Sequence, residues 1–167
     1  MNTRDTGFTL YELLIVVALI AILSAAALPS LSGTNNLKLE TAAREIADGL
    51  RFARNEAMRS GVAHGVRVDQ APPRLRVFKL ATPPTEEFTV YHPQTQQLYD
   101  VDFAATPHTQ GVQVVTSDYY AVAFNKDGVP ASPTDLSWLA TGAINLTASN
   151  GNAAVVVENR SGRVSVQ

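Results

Sequence analysis

One acidic residue at the head of a long apolar run constrains this chain more than any other feature. From residue 13 to residue 28 every side chain is apolar except Ser24, and Glu12 stands immediately before them. Segments of 18 or more apolar residues read as membrane helices. Residues 8–28 number 21. As a helix rising about 1.5 Å per residue they measure roughly 31 Å, close to the roughly 30 Å hydrocarbon core of a bilayer. A carboxylate at the head of such a segment is costly and marks function by default. Ahead of it lies a short polar leader, residues 1–6, closed by Gly7.

The order Gly7, Phe8, Thr9, Leu10, Glu12 and then the apolar run resembles the prepilin signature of the type IV pilins and the pseudopilins of type II secretion. Tyr11 stands where that family more often has leucine or isoleucine, and the leader's single base, Arg4, is offset by Asp5. The resemblance implies cleavage by a prepilin peptidase between Gly7 and Phe8 on the cytoplasmic side. It also implies methylation of the new Phe8 amine, and a Glu12 that neutralises the N-terminal amine of a neighbouring subunit during filament assembly. A glycine before the cut suits close approach of the backbone to a protease. The competing reading is an ordinary secretory signal or single-span anchor. Ser24-Ala25-Ala26 and Ala25-Ala26-Ala27 meet its small-x-small requirement, but that reading leaves the order from Phe8 to Glu12 unexplained.

Removing an anchor of about 30 residues leaves enough chain for one globular domain with its own core. The net charge is −2 in a chain of 167 residues, and losing Arg4 and Asp5 together leaves it unchanged. That balance opposes a broad nucleic-acid-binding surface. The absence of cysteine excludes thiol catalysis, cysteine-ligated metal and disulfide stapling of a periplasmic domain.

Pro29 follows the apolar run; a proline inside a helix breaks or kinks it, and in the pilin family a kink is usual at this place. Residues 30–36, with Gly33 and two asparagines, are poor helix material. They read as a boundary or as a stretch that melts or bends on packing. From 37 to 60 the helical pattern returns: Leu39, Ala43, Ile46, Leu50, Ala53 and Ala57 recur at steps of 4 and 3 on one stripe. Gly61 is a natural stop.

Everything after Gly61 reads as short strands. Candidates are 62–68, 74–79, 88–91, 98–103, 112–115, 120–124, 143–147, 153–158 and 163–166. In the second of these, Leu75 and Val77 alternate against Arg74, Arg76 and Phe78. Residues 125–128 (Asn-Lys-Asp-Gly) and 159–162 (Asn-Arg-Ser-Gly) are turn signals, and Pro130 and Pro133 mark 129–135 as loop. The predicted fold class is α+β: a long N-terminal helix, membrane-embedded in its first half and amphipathic in its second, on an antiparallel β-rich head. The predicted divisions are leader 1–7, membrane and filament-core helix 8–29, amphipathic helix 30–61 and head 62–167. The helix segment from Leu50 to Ala57, the Phe124-Asn125-x-x-Gly128 turn and Ser161-Gly162-Arg163-Val164 resemble the GspH/FimT group of minor pilins and pseudopilins.

No catalytic constellation emerges. His64, His92 and His108 share no metal-ligand spacing. Asp100 and Asp102 fall on one face of a strand or in a loop, and some major pseudopilins bind calcium, but no EF-hand spacing is present. Nothing marks a nucleophile elbow, so the chain reads as non-enzymatic, with no cofactor and no metal. Some FimT-type minor pilins capture DNA through a C-terminal Gly-Arg-x-Arg motif whose paired arginines would grip phosphates. Here the motif reads Gly162-Arg163-Val164-Ser165. Arg160 and Arg163 are the candidate DNA contacts, but the second arginine is replaced by Ser165, so DNA is not an expected partner.

The resemblance therefore implies a minor pseudopilin of a type II secretion pseudopilus, helping to initiate or tip the filament and drive export. Its expected partners are other major and minor pseudopilins, the prepilin peptidase, the inner membrane and secreted substrates, with the head in the periplasm. The alternative is a minor type IV pilin, FimT-like, for pilus priming or DNA uptake in natural transformation.

Overall fold

The computed structural model describes residues 9–27, 30–115, 117–149 and 151–167, with backbone only for 25–27 and 30–33. Gly7, Phe8 and Pro29 lie outside the described residues. The chain divides into two compact units, Met1–Thr34 and Asn35–Gln167.

In the first unit α1 spans Leu10–Ala27. Every α1 side chain described is exposed, Leu10 and Tyr11 at its start and Ile22 and Leu23 near its end alike. A helix apolar on all sides has no solvent face and requires an apolar surround. Among the described residues no helix is long and apolar enough to cross a membrane. The run counted from the sequence has both ends, Phe8 and Leu28, outside that description.

The second helix, α2, spans Ser30–Ser60. It therefore begins seven residues before the expected start at 37. Weak propensity is a cost of tenths of a kcal/mol per residue, and extending an existing helix escapes the nucleation penalty. Asn35 also bonds Ser149 Oγ through its amide, 3.1 Å. The predicted stripe is buried in full, and Ala42 and Ala47 widen it. The helix ends at Gly61, whose φ of 72° suits glycine and whose N–H reaches Ala57 O at 3.0 Å.

The head holds two antiparallel sheets. The first comprises β1 (His64–Gln70), β2 (Pro73–Thr82), β3 (Thr85–Glu87), β4 (Asp100–Asp102), β6 (Ala121–Phe124) and β7 (Pro130–Ala131), in the order β3-β2-β1-β6-β7 with β4 also on β2. The second comprises β5 (Gln113–Val114), β8 (Gly142–Ala148), β9 (Gly151–Val157) and β10 (Val164–Val166), in the order β10-β9-β8-β5. Both press on the α2 stripe. Val66, Val68, Leu75, Val77, Val122 and Phe124 come from the first sheet, and Ile144, Leu146, Val155, Val157 and Val164 from the second. The strands at the sheet margins, β3, β5, β7 and β10, are only two or three residues long.

The strands depart from the sequence reading in several places, among them β3, which forms where no strand was expected. Phe78 lies opposite Leu75 and Val77, as the alternation has it, and that face too is covered: Phe78 is fully buried in a second core with Leu80 and Ala123, against which Phe88 and Leu136 pack. No strand forms over 88–91; Phe88 instead turns its ring edge-on to Phe78, with centroids 5.9 Å apart, and only the Tyr91–Leu98 bridge remains. Pro130 and Ala131 pair with β6 as β7, since a proline is tolerated at a sheet edge, where its missing N–H breaks no ladder.

The rest of the first sheet's outer face is charged. Arg67 forks onto Glu86 at 2.8 and 2.6 Å, and Arg76 meets Asp69 at 2.7 Å while lying 4.3 Å above the Phe88 ring. Arg74 faces Asp100 at 3.2 Å and Asp102 at 3.7 Å. Its Nε contact with Asp100 is an ion pair without hydrogen-bond alignment.

Glu45, on the flank of α2, gives this head a pH signature. Burial raises its pKa above the usual carboxylate value, with the His92 field opposing and Asp48 reinforcing. A folded-state pKa above the unfolded one means that stability is fullest below the unfolded value of 4.5 and falls as pH rises through the folded value. Glu45→Gln is expected to gain stability relative to wild type at pH 7 and to lose that advantage below pH 4.5. Urea unfolding of the two proteins at both pH values checks it, and a constant difference would remove burial as the cause.

Candidate functional site

At the head of α1, Thr9 and Glu12 form a reciprocal capping box. Glu12 Oε2 accepts from the Thr9 backbone N–H and from Thr9 Oγ1, both at 3.0 Å. The Glu12 N–H returns to Thr9 Oγ1 at 3.3 Å. This satisfies two of the donors that every helix N-terminus leaves open. The Thr-x-x-Glu spacing that encodes it was readable in the sequence and was missed. Glu12 thus has a local structural partner in addition to any partner on another chain. The residues of the predicted processing site, Gly7 and Phe8, and the predicted kink residue Pro29 lie outside the described residues.

The C-terminal motifs converge on α2. The 125–128 turn is built by Asn125, whose Oδ1 accepts the N–H groups of Asp127 and Val129, each at 3.0 Å. Gly128 closes it at φ 74°, and its carbonyl accepts Arg54 Nε–H at 3.1 Å. In the 159–162 turn Arg160 and Gly162 both take positive φ, 59° and 61°. Gly162 lies so close to the first turn that a Cβ built on it would meet Gly128 O at 2.3 Å and Arg54 Nε at 3.0 Å. One turn further back, Arg51 donates to Asp48 at 2.8 Å and to Val164 O at 3.2 Å. The residues that carried the GspH/FimT resemblance are therefore a clasp: Arg54 of α2 holds the 125–128 turn of the first sheet and Arg51 the start of β10 in the second.

Arg163 lines an open concavity with Arg51, Arg54 and Gly162, whereas Arg160 does not. Neither Arg160 nor Arg163 makes an ion pair among the described residues. Arg51 and Arg54 are engaged in the clasp. Asp100 and Asp102 flank Arg74, and Asp102 Oδ1 further accepts the Ala104 and Ala105 N–H groups at 2.9 and 3.2 Å. The three histidines are not brought together: His64 sits in β1 with Nδ1 on Val62 O, and His92 and His108 lie on separate loops. Among the described residues no group of three or more ligand-type side chains is placed to hold a metal ion.

Comparison with known proteins agrees with this arrangement. Residues 2–28 match the prokaryotic N-terminal methylation motif, and residues 42–162 match the family described as type II transport protein GspH. No curated protein matches the chain significantly. Among solved structures, the minor pseudopilin EpsH of the Vibrio cholerae type 2 secretion system is 13% identical with a TM-score of 0.54, covering 78% of this chain and 96% of its own. The type IV minor pilin FimU of Pseudomonas aeruginosa is 16% identical with a TM-score of 0.56, covering 80% and 91%. At such identities the likeness establishes the fold, a type IV pilin-like helix packed on antiparallel sheets. With the methylation motif at one end and the GspH match over most of the remainder, the chain belongs to the GspH family of minor pseudopilins and pilins.

Proposed function

We propose that this chain is a non-enzymatic minor pseudopilin, a subunit that helps initiate or tip the type II secretion pseudopilus and so drives protein export. The observation that carries the reading is α1: apolar around its circumference, exposed at every side chain described, and headed by a glutamate in a capping box. Such a helix suits a membrane before assembly and a bundle of like helices afterwards. In this reading the prepilin peptidase cuts between Gly7 and Phe8, the Phe8 amine is methylated, and Glu12 neutralises the N-terminal amine of a neighbouring subunit. Pro29 bends the helix where it leaves the core. The protein resides in the inner membrane as a single span with its head in the periplasm, and its partners are the other major and minor pseudopilins.

The competing assignment is a minor type IV pilin, with DNA uptake as a variant. The engaged state of Arg51 and Arg54 and the serine at position 165 argue against the DNA variant. Deletion of the gene is the test. Exported enzymes are expected to accumulate in the periplasm while transformation and pilus-driven motility persist. Intact secretion with lost uptake or motility would assign the chain to the pilus instead. The purified protein is also expected to show no salt-dependent binding to duplex DNA; micromolar binding that weakens steeply with salt would restore Arg160 and Arg163 as contacts.

A further inference from the structure

Residues 91–98 form a loop closed at its base by the Tyr91–Leu98 bridge. Within it, His92 N–H donates to Gln97 O at 2.8 Å and Gln96 N–H to His92 O at 3.0 Å. The tip is held by the imidazole. His92 Nδ1 accepts the backbone N–H groups of Gln94 at 3.2 Å and Thr95 at 3.4 Å. A ring nitrogen that accepts carries no proton, so the neutral ring bears its hydrogen on Nε2. The same ring packs against Tyr99, with centroids 4.5 Å apart, and Tyr99 packs against Phe52 of α2 at 5.4 Å. The group that staples the tip is thus also the group that seats the loop on the helix.

The charged and titratable groups around His92 come from three sides. From α2, half-buried Glu45 lies within its electrostatic reach, with Asp48 beyond. From the returning strand comes Tyr99, whose hydroxyl is held protonated by burial and by the Glu45 and Asp48 charges. In the adjoining cleft, which Tyr91 and Pro93 share, are His64, Glu56, Arg59 and Lys79; Arg59 is paired with Glu56 and Lys79 with Glu87. The two N–H groups require the neutral ring, because a proton on Nδ1 would sit where their own hydrogens already point.

We propose that His92 is a pH-operated latch: neutral, it holds the 93–97 tip in its turn, and charged, it releases Gln94 and Thr95 and turns to Glu45. Histidine changes charge between about pH 5 and 8, and exposed Tyr91 and Leu98 flank the tip, so release alters the surface that this loop presents.

The test is NMR on the full chain, isotope-labelled in detergent micelles, from pH 8 to pH 5. The His92 ring is expected in its Nε2–H form at pH 8. The Gln94 and Thr95 amides are expected to shift and lose exchange protection at the ring's own midpoint. His92→Asn, whose side-chain oxygen accepts in the same turn but does not titrate, is expected to keep both amides protected throughout. An Nδ1–H ring at pH 8, amides indifferent to the His92 titration, or equal loss of protection in His92→Asn would each overturn the latch.

Discussion

Gly162→Ala is expected to destabilise the protein by about 2–5 kcal/mol, because two costs coincide at that position. The first is conformational: Gly162 sits at φ 61°, where a side chain costs about 1–2 kcal/mol. The second is steric: the added carbon would stand 2.3 Å from the Gly128 carbonyl oxygen. That oxygen is backbone, held by Arg54, and cannot yield as a flexible side chain would. Overpacking of this kind costs about 1–3 kcal/mol. Gly61 supplies the control, with φ 72° but nothing within 4 Å of its would-be Cβ, so Gly61→Ala bears the first cost alone. Thermal unfolding of the full chain in micelles separates the two. A lowering of Tm by about 4–20 °C is expected for Gly162→Ala, at about 2–4 °C per kcal/mol in a chain of this size. Equal melting of the two variants would mean that the turns do not abut.

Glu12→Gln is expected to abolish incorporation into the filament while leaving α1 intact. Glutamine serves at the third position of a capping box as glutamate does, so the bonds to Thr9 survive and only the charge is lost. Glu12→Ala loses cap and charge together, and Thr9→Ala removes the cap's hydroxyl while retaining the charge. If Glu12 acts by neutralising a neighbouring amine, both Glu12 variants fail to cross-link with other pseudopilins in membranes, and Thr9→Ala assembles with at most a modest loss. If only the cap matters, Glu12→Gln assembles like wild type. Membrane fractionation of each variant serves as the internal standard, since insertion depends on the apolar run behind position 12.

The parts of the fold legible in advance were those with a period. The α2 stripe repeats over six predicted positions, all buried, and the two turns announce themselves by Asn and Gly. The burial of Phe78 was not legible, because strand alternation tells which residues share a face and not whether that face is covered. Its cover comes from Phe88 and Leu136, neither of which shares a strand with it. The Arg54–Gly128 and Arg51–Val164 bonds join residues 74 and 113 positions apart, and no local pattern encodes such pairs. Of the candidate DNA contacts, Arg160 and Arg163, the latter lies beside two helix arginines with a different role. Arg51 and Arg54 are structural, while Arg160 and Arg163 stand unpaired among the described residues. The Thr9–Glu12 box, by contrast, was local and readable; the conspicuous burial cost of a carboxylate beside an apolar run drew the reading past it.

The truncated margins of both sheets bear on how such a head tolerates crowding. A long, flat strand at a margin presents a row of unsatisfied N–H and C=O groups that will template another chain. Here β3, β5, β7 and β10 offer two or three residues each, β7 begins with a proline, and the Val164 carbonyl of β10 is already taken by Arg51. Heads built this way can therefore lie flank to flank against a neighbour without pairing edge to edge. They lack the continuous backbone template that would zip neighbours into an irreversible cross-β aggregate.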